Sequence, residues 1–346
     1  MHAFHINKNN FDFIRFSLAF IVMIAHIAVL VPGELYSEIQ PYFKSEIAIH
    51  AFFILSGFLV SKSLAHTLTL RKYFIKRIRR IVPAYTFVVI FFGILLSSVS
   101  QFSPTEYFSS AQFWKYMSVN LLYQNYLQPC LPGVFENTNT MCAVNGALWT
   151  IKIEEAFYLL LPFLAFLNKK IFGKKWLFYL LVYIASILFF NILNHAGLHR
   201  FAKQLPGSLC YFSGGIVAFH FFEKIIPNLK LLFLPAILIF LIEYFFSDFV
   251  ILRPAALTVI VLFIAYHFSF LNRFGKYGDF TYGTYIFHFP IIQLCVWFSL
   301  HTYWNRWTLM FFIIGITLIC AVFSWKVIET KFISRNYLQR IESLDR

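Results

Sequence analysis

The sequence predicts an all-α, polytopic integral membrane protein with about ten transmembrane helices and both termini in the cytoplasm. Three observations predict it. Hydrophobic residues make up 60% of the 346 and charged ones only 13%, whereas a soluble domain has about 25% charged residues. Too few polar groups exist to cover a water-facing surface. Apolar runs of bilayer length recur to the end of the chain, at about 11–31, 46–66, 81–100, 147–167, 175–194, 206–222, 230–247, 251–270, 281–300 and 308–328. The 29 Lys and Arg are also unevenly placed. With the N-terminus inside, 21 fall on the cytoplasmic side and two, Arg15 and Lys152, within spans. Six fall outside: Lys44, Lys115, Arg200, Lys203, Arg253 and Arg306. This is the positive-inside pattern. It accounts for most of the +14 net charge and argues against nucleic-acid binding.

The first run opens with Asp12 and Arg15, exceeds the length of a signal-peptide core and lacks a small-residue cleavage site, so it reads as a retained span. The longest interruption, 101–146, is expected outside the cytoplasm. Its first half, QFSPTEYFSSAQFWKYMSVNLLYQ, has the broken apolar pattern of an interfacial helix. Its second half, QPCLPGVFENTNTMCAVNG, is rich in turn formers. Cys130 and Cys142 both lie there, where a disulfide is chemically allowed. Cys210, Cys295 and Cys320 sit in or beside apolar runs as packing residues. The tail, 329–346, is too short for a core. Residues 1–346 therefore read as one transmembrane domain with no appended soluble domain.

Ionisable residues inside spans are costly and mark candidate sites. In RFSLAFIVMIAH, Arg15 and His26 lie eleven residues apart, which places them on one helix face about 16 Å apart. Arg15 is near enough to the cytoplasmic end to snorkel, with Asp12 one turn earlier to neutralise it. His26 lies too deep to snorkel and is either a hydrogen-bonded core histidine or a functional one. In HAFFILSGFLV, Ser56 and Gly57 permit close helix approach. LRKYFIKRIRRIVPAY carries Arg77, Arg79 and Arg80 among six basic residues; it is a topology anchor for anionic lipid or a phosphate-binding rim. In ALWTIKIEEAFYLLLP, Lys152 and Glu155 are spaced to pair, leaving Glu154 directed elsewhere. In TYGTYIFHFPII, His288 falls near mid-membrane beside Tyr282 and Tyr285.

Taken in order along residues 9 to 330, the Arg-x10-His of the first span, FFILSGF, RIRRIVPAY, WTIKIEEAFYLLLP and YGTYIFHFP resemble the membrane acyltransferase-3 family. That family includes bacterial O-antigen and exopolysaccharide O-acetyltransferases. The resemblance implies a multi-pass enzyme of the bacterial inner membrane. Such an enzyme moves an acyl group, usually acetyl, from cytoplasmic acyl-coenzyme A to a hydroxyl of a lipid-linked or cell-surface glycan. No bound cofactor and no metal is implied; acyl-coenzyme A is the co-substrate, and the acceptor glycan and membrane lipid are the partners. By the motif match, His26 and Glu154 would be catalytic, and Arg15, Ser56, Arg77, Arg79 and Arg80 would bind the donor. Asp12, Lys152, Glu155, Tyr285 and His288 are further candidates. Lys152 stands where many relatives have a small polar residue, and many relatives carry an extracytoplasmic esterase-like domain not seen here.

On this reading Arg15 and the basic segment hold the donor phosphates. His26, one pantetheine length deeper, is a general base, because a neutral imidazole accepts a proton near neutral pH; an acetyl-histidine intermediate is the variant. Two other classes compete. A transporter of a lipid-linked saccharide or a small anion also suits ten spans with buried charge, but no paired halves are visible. A scaffold would use the polar groups only to join helices. A metal enzyme lacks support: there is no HExxH, and His195 and His199 flank Gly197 in an expected loop.

Overall fold

The computed structural model describes residues 9–136, 141–169 and 175–333. Among them there is no strand, only one antiparallel bridge between Cys130 and Ala143. Helices of fifteen or more residues fill the apolar segments: α1 (Phe11–Leu30), α2 (Ser45–Ala65), α3 (Leu70–Leu95), α4 (Trp149–Leu167), α5 (Lys175–His195), α6 (Leu205–His220), α7 (Leu229–Phe246), α8 (Arg253–His267), α9 (Thr281–Trp297) and α10 (Arg306–Phe323).

Six stretches are long and apolar enough to cross a membrane: Phe11–Leu30, Ser45–Ala65, Leu70–Val99, Leu177–His195, Phe222–Phe246 and Arg306–Phe332. Arg253–His267 and Ser269–Tyr277, bent 75° at their junction, make a seventh if taken as one broken span. α4, α6 and α9 fall outside this set for two reasons. α4 carries Lys152, Glu154 and Glu155 in its second turn; α6 and α9 are short, at 16 and 17 residues. Fourteen residues of α9 are buried, so protein rather than lipid surrounds it and no lipid-matched length is imposed.

Two local expectations are revised. The third apolar run, expected at 81–100, begins earlier as helix: the basic residues 71–80 form the first turns of α3, which runs through Pro83. The single interfacial helix expected after residue 101 is two short ones, Pro104–Ser109 and Ala111–Leu121. Ser103 and Glu106 close a capping box on the first, and Ser110 caps the second; the second cap interrupts what would be a continuous helix. Cys130 and Cys142 are joined in a disulfide with Cα atoms 5.2 Å apart. Residues 137–140 of that loop and 334–346 of the tail lie outside the described residues.

The chain divides into two compact units. The first comprises Met1–Arg15, Glu46–Ile75 and Ile153–Gly275. The second comprises Phe16–Ser45, Lys76–Lys152 and Lys276–Arg346.

In the first unit, small residues bring α2 and α6 into backbone contact. A β-carbon at Gly57 would lie 2.1 Å from the Phe212 carbonyl oxygen, and one at Gly215 would lie 2.0 Å from that of Ile54. Beside this seam Phe157 stacks on Phe212 with centroids 4.3 Å apart and meets Phe53 edge-on at 5.1 Å. Pro162 interrupts α4. A proline has no N–H, so the carbonyl four residues earlier loses its helical partner. That carbonyl belongs to Tyr158, and the Tyr73 hydroxyl donates to it at 3.0 Å.

The second unit repeats the device. Pro290 lies inside α9 and frees the carbonyl of Ile286, which accepts from Asn145 Nδ2 at 2.8 Å. Inside apolar surroundings such a freed group must be satisfied by a neighbour. The segment before α4 and the first turn of α4 each hold α9 at a further height. Gln293 Nε2 donates to the carbonyls of Met141 and Ala143 at 2.7 and 2.9 Å, on either side of the disulfide. Thr150 Oγ1 meets the Tyr285 hydroxyl at 2.6 Å. Gly283 on α9 abuts Ala321 on α10: an added β-carbon would sit 2.6 Å from the Ala321 Cα.

This arrangement yields a test. Asn145→Leu leaves the buried Ile286 carbonyl unpaired and is expected to cost about 1–3 kcal/mol, read as a lower Tm of detergent-extracted protein. In a Pro290→Ala background the helix supplies its own N–H to Ile286, so Asn145→Leu should cost measurably less. Equal costs in both backgrounds would refute the capping role.

Candidate active site

The second unit joins two histidines that lie 262 residues apart in sequence. His26 Nδ1 and His288 Nε2 are 2.8 Å apart, a hydrogen-bonding distance. Their rings are 18° from parallel with centroids 5.0 Å apart. α1 carries His26 without a break from Phe11, flanked by the buried Ala25 and Ile27. α9 carries His288, which is fully buried. His288 Nδ1 lies 3.1 Å from the carbonyl of Thr284, one turn earlier. Phe289 closes edge-on against His26 at 5.2 Å, and Tyr285 against His288 at 5.9 Å. Gly146 makes room for Phe289, since a β-carbon there would lie 2.6 Å from its ring. His288 is buried and His26 half-buried, so what exposure the pair has belongs to His26.

The second unit also holds an ionic cluster. Arg80 Nη2 lies 2.5 Å from Asp279 Oδ2, and Nη1 lies 3.7 Å from Glu329 Oε2. Both carboxylates are almost fully buried. Glu329 ends a π-helical turn, Ser324–Glu329, whose first residue donates its hydroxyl to Glu329 Oε1 at 2.9 Å. The five-residue repeat of that turn brings Ser324 and Glu329 together. Arg80 thus answers two carboxylates; on the same first turns of α3, Arg77 is half-buried and Arg79 exposed. Lys152 Nζ lies over the Tyr126 ring, 4.6 Å from its centroid.

In the first unit, Glu154 Oε1 accepts hydrogen bonds from the Tyr158 hydroxyl and from Ser56 Oγ, the latter at 3.4 Å. Ser56 gets there because Gly57 beside it seats α2 against α6. Tyr158 follows Glu154 by four residues, one helical turn. Glu155 is half-buried. Asp12 packs against Gly275, where a β-carbon would meet its Oδ2 at 2.5 Å. Arg15 is half-buried on the first turns of α1.

Of the residues singled out from sequence, the structure therefore brings together His26 with His288, and Ser56 with Glu154. It adds four that the sequence reading did not name. Tyr158 was detectable from its spacing to Glu154. Asp279, Glu329 and Thr150 were not, because their partners lie more than a hundred residues away. Among the described residues no three His, Cys, Asp or Glu side chains converge as a metal ligand set.

Hydrogen-bonded imidazoles and a carboxylate held by two hydroxyls, carried on apolar helices, define a multi-pass membrane protein with acid–base groups inside it. The chain belongs to the acyltransferase domain family, which matches residues 8–326, and is an acyltransferase. It is 25% identical to an O-acetyl transferase of Shigella phage Sf6, over 95% of this chain and 97% of that protein. It is also 25% identical to peptidoglycan O-acetyltransferase OatA of Listeria monocytogenes, over 84% of this chain and 52% of that protein, so it spans about half of that relative. Nodulation protein 10 of Rhizobium leguminosarum is 28% identical over 46% of this chain and 44% of its own length. No solved structure matches.

Proposed function

We propose that this chain is a membrane O-acetyltransferase of the bacterial inner membrane. It moves acetyl from cytoplasmic acetyl-coenzyme A to a sugar hydroxyl of a cell-surface or lipid-linked glycan. The observation that carries this reading is the His26–His288 pair, an imidazole base held by a buried partner. The two O-acetyltransferase relatives support oxygen as the acceptor atom and acetyl as the group. Ten spans with both termini in the cytoplasm complete the proposal; the positive-inside bias supports that orientation.

Each residue has a role in the step. Arg15, Arg77, Arg79 and Arg80 are the donor-binding residues of the proposal, suited to phosphate oxygens by charge-assisted hydrogen bonds. The pantetheine arm runs along α1, and His26 lies about 16 Å from Arg15 on that helix. Ser56 lines the donor path. His26 removes the proton from the acceptor hydroxyl as its oxygen attacks the thioester carbonyl. The C–O bond forms, the C–S bond breaks, and the departing thiolate of coenzyme A takes the proton back from the imidazolium. Glu154, held by Tyr158 and Ser56, is the second acid–base group of the proposal.

The test is incubation of membranes holding this chain with acetyl-labelled acetyl-coenzyme A. An acetyltransferase yields base-labile label in the glycan and one free thiol per acetyl transferred. A saccharide exporter yields neither, and that outcome would sink the proposal.

A further inference from the structure

We infer that His288 is a positioning residue that sets which nitrogen of His26 carries the proton. This rests on His26 being the base. The chain of hydrogen bonds runs in one direction only. The carbonyl of Thr284 can accept but never donate. It has two lone pairs, one of which takes the helical N–H of residue 288, and the other faces His288 Nδ1 at 3.1 Å. Nδ1 of His288 must therefore carry the hydrogen. In a neutral imidazole the other nitrogen is then bare, so His288 Nε2 accepts. The atom opposite it, 2.8 Å away, is His26 Nδ1, which must donate. His26 is consequently held as the Nδ1–H tautomer with Nε2 bare, and a bare nitrogen is what a general base needs.

The surroundings hold this polarity in place. His288 is fully buried, away from bulk solvent. Its ring is packed by Tyr285, whose hydroxyl is tied to Thr150. The α9 backbone that presents Thr284 and His288 is pinned by Asn145 at Ile286, midway between them. In the reverse tautomer His288 Nδ1 would turn a lone pair on a carbonyl lone pair, and His26 would point its hydrogen outward and lose its basic atom. A backbone carbonyl thus serves where a carboxylate orients the imidazole in other acid–base sites. It does so without placing a charge inside apolar helices.

The test compares four variants in membranes with acetyl-labelled acetyl-coenzyme A, normalised to detergent-extracted monodisperse protein. Glutamine places its amide oxygen near the Nε2 position of histidine, asparagine nearer Nδ1, and leucine offers no acceptor. His288→Leu should lower kcat by about 100-fold or more with KM for acetyl-coenzyme A within about threefold. His288→Gln should recover at least about tenfold over His288→Leu, and His288→Asn should not. If His288→Leu transfers like the unmodified chain, or if His288→Gln and His288→Asn are equally impaired, the positioning role is overturned while the base survives. Should His26→Ala keep near-normal transfer, His26 is not the base and this inference falls with it; absence of transfer from the unmodified chain is what would sink the proposed function. Where His288→Leu does not extract, the Gln and Asn pair decides alone.

Discussion

Replacing His26 with alanine is expected to reduce acetyl transfer by about 100- to 10,000-fold, the usual contribution of a positioned general base, while leaving the protein in the membrane. The two effects separate because the residue has a limited structural share. His26 is half-buried, and the helix that carries it is long and apolar. Its loss leaves one bare nitrogen on His288, a cost of about 1–3 kcal/mol. That is small beside the apolar surface α1 buries: Val22, Met23 and Ile27 are wholly enclosed. The measurement is transfer of labelled acetyl per unit of extracted protein, with elution on size exclusion as the check of fold. Transfer within tenfold of normal would remove His26 from the chemistry. Parallel loss of extractable protein and transfer would return the histidine pair to a purely structural role.

Gly215→Ala is expected to be strongly destabilising in the first unit. The new methyl would lie 2.0 Å from the Ile54 oxygen and 2.7 Å from the Phe58 nitrogen. Both are backbone atoms, so no side chain can swing aside and the helices must part. Overpacking typically costs about 1–3 kcal/mol and more where backbone must move. The consequence reaches the chemistry, because α2 also carries Ser56, whose hydroxyl meets Glu154. Gly315→Ala is the matched control: nothing lies within 4 Å of a β-carbon there, and alanine in a helix is favoured over glycine by about 0.5–1 kcal/mol. Extracted yield and Tm should fall for Gly215→Ala and hold or rise for Gly315→Ala. Identical Tm values for the two would show that the α2–α6 contact is looser than drawn.

Much of the architecture was legible in the residues. Low charge and repeated apolar runs place the chain in a membrane, and helical phase puts Arg15 and His26 on one face of α1. The Glu154–Tyr158 contact is one helical turn and could have been read from spacing. Pro162 and Pro290 free a carbonyl by a local rule, but the groups that answer those carbonyls, Tyr73 and Asn145, follow from no local spacing.

By itself, then, the sequence determined the solvent this protein lives in, its helicity and the polar residues that need partners, since these follow from composition and from period along one chain. Only the tertiary structure decided the partners: His288 for His26, Ser56 for Glu154, Asp279 and Glu329 for Arg80. The physical reason is that in lipid a helix face turned to a neighbour and one turned to acyl chains are both apolar. Association is settled by packing of small residues and by hydrogen bonds across helices. Periodicity within one helix records neither.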